Sequence, residues 1–171
     1  MTRRAERDLS WLDWVPGSGS MRRLAVVPVG AGAVRLLPSA GLLIQPYAAW
    51  LDPAHVLFTA AEPGHPPRIF VQDVTGDALP QPFSPEGIVM ASADAVSPDR
   101  TRVAAIDRSE RPVLLTNRGV VATEIPNTGN GEWPAAWDPD GGSIFVWHRV
   151  WLRRGSSACR SLPAHEGYGV C

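Results

Sequence analysis

Four histidines, one glycine-rich turn and a few acidic turn residues are the groups in this 171-residue chain whose types could do chemistry. His55, His65, His148 and His165 stand apart, with no pair four residues apart and no cysteine at ligand spacing. They read as loop or surface histidines rather than metal ligands. Cys159 and Cys171, both in the tail, are too few for a disulfide scaffold and lack the second pair that a zinc site needs. Gly30-Ala31-Gly32 follows an apolar run, as a dinucleotide-binding loop would. It has no third glycine, and Leu36-Leu37-Pro38 cannot begin a helix to hold a pyrophosphate, so a hairpin turn explains it better. Asp99, Asp138 and Asp140 supply too few close oxygens for a calcium loop and read as turn stabilisers. Gly17-Ser18-Gly19-Ser20-Met21 does not have the spacing of a serine nucleophile elbow. Trp133 and Trp137, flanking Pro134, could form an aromatic binding surface, although core packing accounts for them more simply. The sequence thus predicts no catalytic residues, no cofactor-binding residues, no metal ligands and no cofactor.

The elements that would position any such group are repeated. Trp50-Leu51-Asp52-Pro53, Val96-Ser97-Pro98-Asp99 and Trp137-Asp138-Pro139-Asp140 each put an apolar residue before a Pro/Asp turn. A short apolar run follows each turn: Val56-Leu57-Phe58, Val103-Ala104-Ala105-Ile106 and Ile144-Phe145-Val146-Trp147. Proline sets φ and aspartate bonds its own backbone, so these segments favour chain reversal. The anchors Trp50, Val96 and Trp137 lie 46 and 41 positions apart, and Gly32, Gly76 and Gly119 lie 44 and 43 apart. Two landmarks with one period mark a repeat architecture, and turn-then-strand content points to propeller blades. Each unit is expected to hold four antiparallel strands, the third running into a glycine turn where positive φ is inexpensive and the fourth ending near Leu36-Leu37, Phe83 or Ile125. Only Arg3 to Trp14 carries a helical pattern.

Seventeen prolines and sixteen glycines spread between apolar runs suit many short strands joined by tight turns. A net charge of −1, with Arg22-Arg23 and Arg153-Arg154 as isolated basic pairs, offers no nucleic-acid surface. The run from Leu24 to Ile44 is too interrupted by Pro28, Arg35, Pro38 and glycines to cross a membrane as a helix. After Met1-Thr2-Arg3-Arg4, Glu6, Arg7 and Asp8 break any apolar export segment. The default expectation is therefore a cytoplasmic chain.

The Ser97-Pro98-Asp99 and Asp138-Pro139-Asp140-Gly141 turns, and strands ending like Val71 to Gly76, resemble the WD40-like repeats of TolB-type β-propellers. The closer resemblance is to propeller regions found with bacterial eukaryotic-like serine/threonine kinases. There, Asp8 to Trp14 is similar to a blade-opening segment, and Phe83-Ser84-Pro85-Glu86-Gly87-Ile88 to a Thr-Pro-Glu-Gly step, with Ser84 in place of Thr. The resemblance covers about residues 6 to 148. It implies an all-β propeller of three to four blades in an incomplete ring: an N-terminal arm and bridge over 1–20, blades over 21–148, and a divergent tail over 149–171. Pro16 to Ser20 stands where a further blade is expected, and the tail carries at most a degenerate strand at Val150-Trp151-Leu152. Its arginine, serine and cysteine content is that of an unrelated or frame-shifted segment. An unclosed ring leaves blade edges open to self-association.

The function this implies is non-enzymatic binding or sensing of a protein or small ligand, in a fragment of a kinase-associated regulator. No kinase motif is present to carry phosphoryl transfer over. The alternative is the substrate-gating propeller of a prolyl-oligopeptidase-like serine peptidase without its hydrolase domain. A truncated product with no function of its own is the third reading. In kinase-linked relatives such regions often follow a membrane helix, so an extracytoplasmic location is also implied.

Overall fold

The computed structural model describes residues 7–12, 22–119, 121–148 and 158–163. Among them every regular element is a strand, and the strands form four antiparallel sheets in chain order. The first sheet holds β1 (Arg7–Leu12), β2 (Arg23–Pro28) and β3 (Arg35–Leu36). The second holds β4 (Leu43–Trp50), β5 (His55–Ala61), β6 (Arg68–Asp73) and β7 (Gln81–Pro82). The third holds β8 (Arg102–Ile106), β9 (Pro112–Thr116) and β10 (Val121–Glu124), with Val89 and Val96 bridging β8 on its free side. The fourth holds β11 (Glu132–Trp137), β12 (Ser143–His148) and β13 (Ala158–Pro163).

The repeated anchors occupy equivalent places. Trp50 pairs with Val56, Val96 with Val103 and Trp137 with Ile144, each across the Pro/Asp turn. The turns close as their residue types require: Asp52 Oδ1 accepts the Ala54 and His55 N–H groups, and the Gly141 N–H donates to the Asp138 carbonyl.

Burial explains why the second strands read as unbroken apolar runs. Neighbouring sheets pack face to face, so a strand between two others is covered on both sides and both alternating sets must be apolar. On β5, Val56, Phe58 and Ala60 join Leu24, Val26 and Leu37 of the first sheet in one core. Leu57 points the other way, with Ile69, into a core shared with Val103, Ala105, Val113 and Leu115 of the third sheet. The alternation repeats on β8, where Ala104 turns to a third core with Trp137, Ile144 and Val146. Phe58 and Phe70, opposite each other in register, stack at 6.1 Å between centroids within the first core. Among the described residues no core joins the fourth sheet to the first, so the four sheets form an open series.

The structure departs from the sequence-based expectations in several places. Among the described residues only the second sheet holds the expected four strands, and the other three hold three each. Arg7–Leu12 is a strand, not helix: β1 pairs residue for residue with β2 from Arg7↔Pro28 to Leu12↔Arg23, and sheet pairing overrides a weak helical pattern. Val150-Trp151-Leu152 lies outside the described residues, and the strand beside β12 is Ala158–Pro163. Of the three periodic glycines, only Gly119 takes a left-handed φ, 70°; Gly32 and Gly76 turn without it.

Candidate functional site

The free first strands of three consecutive sheets are each irregular, and that row is the best-built candidate surface. In β4, Ile44 faces Ala60 and Ala48 faces Phe58, so Gln45, Pro46 and Tyr47 stand against Thr59 alone. Pro46 has no N–H for the ladder, which favours a bulge there. Tyr47 emerges at φ 78° and is 43% exposed as a residue. For a bulky residue that left-handed conformation costs about 1–3 kcal/mol. In the third sheet the six residues from Met90 to Ala95 loop out between the bridges at Val89 and Val96. In β11 the register slips at Ala135, between Pro134 and Ala136.

Hydrogen bonds knit the bulges across sheets. The Met90 N–H donates to the Thr59 hydroxyl at 3.0 Å, and the Ser92 hydroxyl donates to the Ala135 carbonyl. A row of backbone irregularities is therefore held on a rigid scaffold, the arrangement that suits recognition by shape.

On one loop face lie the Pro/Asp turns. The Asp99 carboxylate accepts from the Ser97 hydroxyl at 2.6 Å, the Thr101 N–H at 3.0 Å and the Thr101 hydroxyl at 2.8 Å. Those bonds, the Ser97 one foremost, lower its pKa to about 2. Asp52 is also held below the carboxylate range: burial raises it, but bonds from Ala54 and His55 outweigh that. Asp73 is lowered by the Thr75 hydroxyl and N–H. Arginines tie neighbouring turns together, Arg35 reaching the Val74 carbonyl at 2.7 Å and Arg102 the Gly141 carbonyl at 2.6 Å. These aspartates are engaged with their own turns, which is the stabilising role their residue types suggest.

On the opposite loop face, at the junction of the second and third sheets, Glu62, His65 and Glu86 bring ligand-type atoms within 4.8 Å of one another. The set suits a divalent ion by type. The Arg68 guanidinium already lies against Glu62 and 3.7 Å from Glu86, with Arg108 3.7 Å from Glu86 on its other oxygen. The cluster is an ion-pair network in which arginine takes the place of the cation. Sequence reading missed it because its members come from three separate turns and a strand end. Glu86 belongs to the Ser-Pro-Glu-Gly step, and that was its one visible signal.

The structure disperses the histidines. His55 Nδ1 lies 2.9 Å from Asp52 Oδ2, His65 Nδ1 3.1 Å from Glu86 Oε1 and His148 Nδ1 3.1 Å from Glu132 Oε1; His165 lies outside the described residues. Gly30 and Gly32 sit in the turn between β2 and β3, with no helix after them. Ser18 and Ser20 are not among the described residues. Trp137 is buried in the third core, whereas Trp133 faces Trp147 across the β11–β12 ladder. No described helix is long and apolar enough to cross a membrane.

Antiparallel sheets of three and four strands, stacked side by side in chain order, define a β-propeller architecture. Solved structures agree on the kind. The chain is similar to a structure described as a TolB from Agrobacterium tumefaciens, with a TM-score of 0.65 and 14% identity over 85% of this chain and 52% of that one. It is also similar to TolB from Acinetobacter baumannii, with a TM-score of 0.62 and 16% identity over 90% of this chain and 38% of that one. The fold is that of a TolB-type, WD40-like propeller, and the chain spans about half or less of the length of these structures. No protein-family model matches the sequence, and no curated protein sequence matches it.

Proposed function

We propose that this chain is a non-enzymatic binding module that holds a peptide segment of a protein partner along the row of bulged edge strands. Tyr47 carries the reading. A strained backbone that leaves an aromatic ring open to solvent gains little for the fold, and such strain is usually retained where a ligand uses it. The row around it offers bulged backbone, Pro46, Ser92 and Trp133, a mix suited to an extended peptide. The fold supports the reading, since propellers commonly present binding surfaces on rigid sheets. Attachment to a kinase-type regulator, in an extracytoplasmic setting, is the context the sequence resemblance favours. The gating propeller of a serine peptidase is the alternative, and a hydrolase domain encoded in frame with this chain would favour it.

The test uses peptides selected from a random display library on the purified chain, with affinities measured by calorimetry. Tyr47→Gly removes the ring and relieves the φ strain together. The expected result is an equal or higher melting temperature with binding weakened about tenfold or more, about 1.4 kcal/mol. Selected peptides that bind Tyr47→Gly as well as the parent overturn the site. Phosphoryl transfer or peptide hydrolysis by the purified chain overturns the non-enzymatic reading.

A further inference from the structure

Aspartate does one job in the turns of this chain, and Asp94 does not do it. Asp52, Asp73, Asp99 and Asp107 each accept, through Oδ1, the N–H of the residue two positions on, at 2.7–3.0 Å. In the loop between the bridges at Val89 and Val96 that job falls to Ser92, whose hydroxyl oxygen accepts the Asp94 N–H at 2.9 Å. Asp94 is exposed, and among the described residues no hydrogen bond or ion pair ends on its carboxylate. The loop that carries it is nevertheless fixed. The Met90 N–H donates to the Thr59 hydroxyl at 3.0 Å, the Ser92 hydroxyl to the Ala135 carbonyl, and the Trp137 indole N–H to the Ala95 carbonyl at 2.9 Å. A carboxylate on so fixed a backbone gives up little freedom when a partner engages it.

Asp94 is also the one exposed charge of the bulged row. Residues 43–50, 89–96 and 132–137 include no lysine, arginine or histidine. Their other carboxylate, Glu132, is 4% exposed, with Oε1 3.1 Å from His148 Nδ1 and Oε2 accepting the Gly129 N–H at 2.9 Å. Ala93, exposed next to Asp94, leaves low apolar surface over which the aliphatic stem of a long cationic side chain can lie. We propose that the peptide segment held along this row is cationic, with a lysine or arginine side chain placed on Asp94. The inference rests on the peptide reading above and names the chemistry of its partner. An acidic segment would meet a carboxylate that nothing on the row neutralises, so Asp94 selects against acidic partners as well as for basic ones.

The test selects peptides from one random display library on the full chain and on its Asp94→Asn and Asp94→Lys variants. Peptides selected on the parent are expected to share a lysine or arginine at a fixed position, and those selected on Asp94→Lys to share an acidic residue there. Replacing the shared basic residue with glutamine is expected to weaken binding to the parent about threefold to tenfold and to leave binding to Asp94→Asn unchanged. Affinity for the parent is expected to fall with added salt more steeply than affinity for Asp94→Asn. No enrichment of basic residues on the parent, or an equal loss on Asp94→Asn, overturns the proposal. If such peptides still lose affinity for Tyr47→Gly, the charge assignment fails while the peptide site stands; a selection that yields no binder overturns both. Because no bond within the described fold ends on the Asp94 carboxylate, Asp94→Asn is expected to melt with the parent. A melting temperature several degrees lower would assign that carboxylate to the fold and overturn its role in binding.

Discussion

The indole N–H of Trp137 donates to the carbonyl of Ala95 at 2.9 Å, crossing from the fourth sheet to the looped segment that precedes the third. The same carbonyl accepts the Ala104 N–H at 2.7 Å, and the Arg102 guanidinium lies 4.7 Å from the Trp137 ring centroid. One side chain thus joins a hydrogen bond, a cation–π contact and the third apolar core. The repeat anchor is a junction between sheets as well as a strand end.

Trp137→Phe keeps the ring in the core but removes the donor. Because the Ala95 carbonyl retains its bond from Ala104, the loss is expected at the lower end for a buried hydrogen bond, with some packing loss added, about 1–2 kcal/mol. Trp137→Ala also leaves a cavity and is expected to cost about 3–5 kcal/mol. Chemical denaturation of the two variants checks the difference.

Ser84 is expected to be a buried linchpin of the connection between the second and third sheets. Its hydroxyl accepts the Ile69 N–H at 2.9 Å and lies 3.1 Å from the Ile88 carbonyl, to which it can donate. Ser84→Ala orphans a buried strand N–H and is predicted to lose about 1–3 kcal/mol. Ser84→Thr retains the hydroxyl, as in the Thr-Pro-Glu-Gly step it resembles, and is predicted to lose clearly less than the alanine variant. Urea midpoints of the three proteins rank the outcome.

Gly119 and Gly76 hold the same place in the repeat but predict opposite responses. A Cβ on Gly119 would stand 1.7 Å from the Phe83 carbonyl oxygen, at φ 70°. Gly119→Ala therefore forces backbone movement on top of about 1–2 kcal/mol for the left-handed conformation. Gly76 has open space around it and no left-handed φ. Gly76→Ala is expected to be neutral or slightly stabilising through the unfolded chain. A melting temperature for each variant decides the pair.

Asp99 carries the clearest pH dependence. Its folded pKa, about 2, lies below the ordinary 3.8, so its stabilisation is present above pH ~4 and is lost as pH falls through about 2. The group is exposed, and solvent screening limits the effect to about 1 kcal/mol or less. Asp99→Asn is predicted to melt a few degrees lower at neutral pH, about 2–4 °C per kcal/mol, with the gap closing near pH 2. A constant gap across that window would contradict the assignment.

Much of the fold was legible in the sequence because its causes are local. Pro-Asp and Asp-Gly segments reverse the chain, and short apolar runs make buried strands, so blades could be read from spacing alone. The propeller was legible for that reason. The strand at Arg7–Leu12 was misread because six residues carry too weak a periodic signal to outweigh the partner strand that decides them. The candidate site was barely legible. Tyr47 looks like any strand tyrosine until the register slip between Ile44 and Ala48 turns it outward. Glu62, Arg68, Glu86 and Arg108 look like scattered surface charges until sheet packing gathers them.

From its own residues the chain determines its strands, its turns and the period at which they recur, since each depends on neighbours a few positions away. Only the tertiary structure decided which alternating face meets which sheet, where arginine sits between two glutamates, and that Trp147 and Leu36 are left exposed. Those outcomes depend on residues that are remote in sequence and adjacent only once the sheets have stacked.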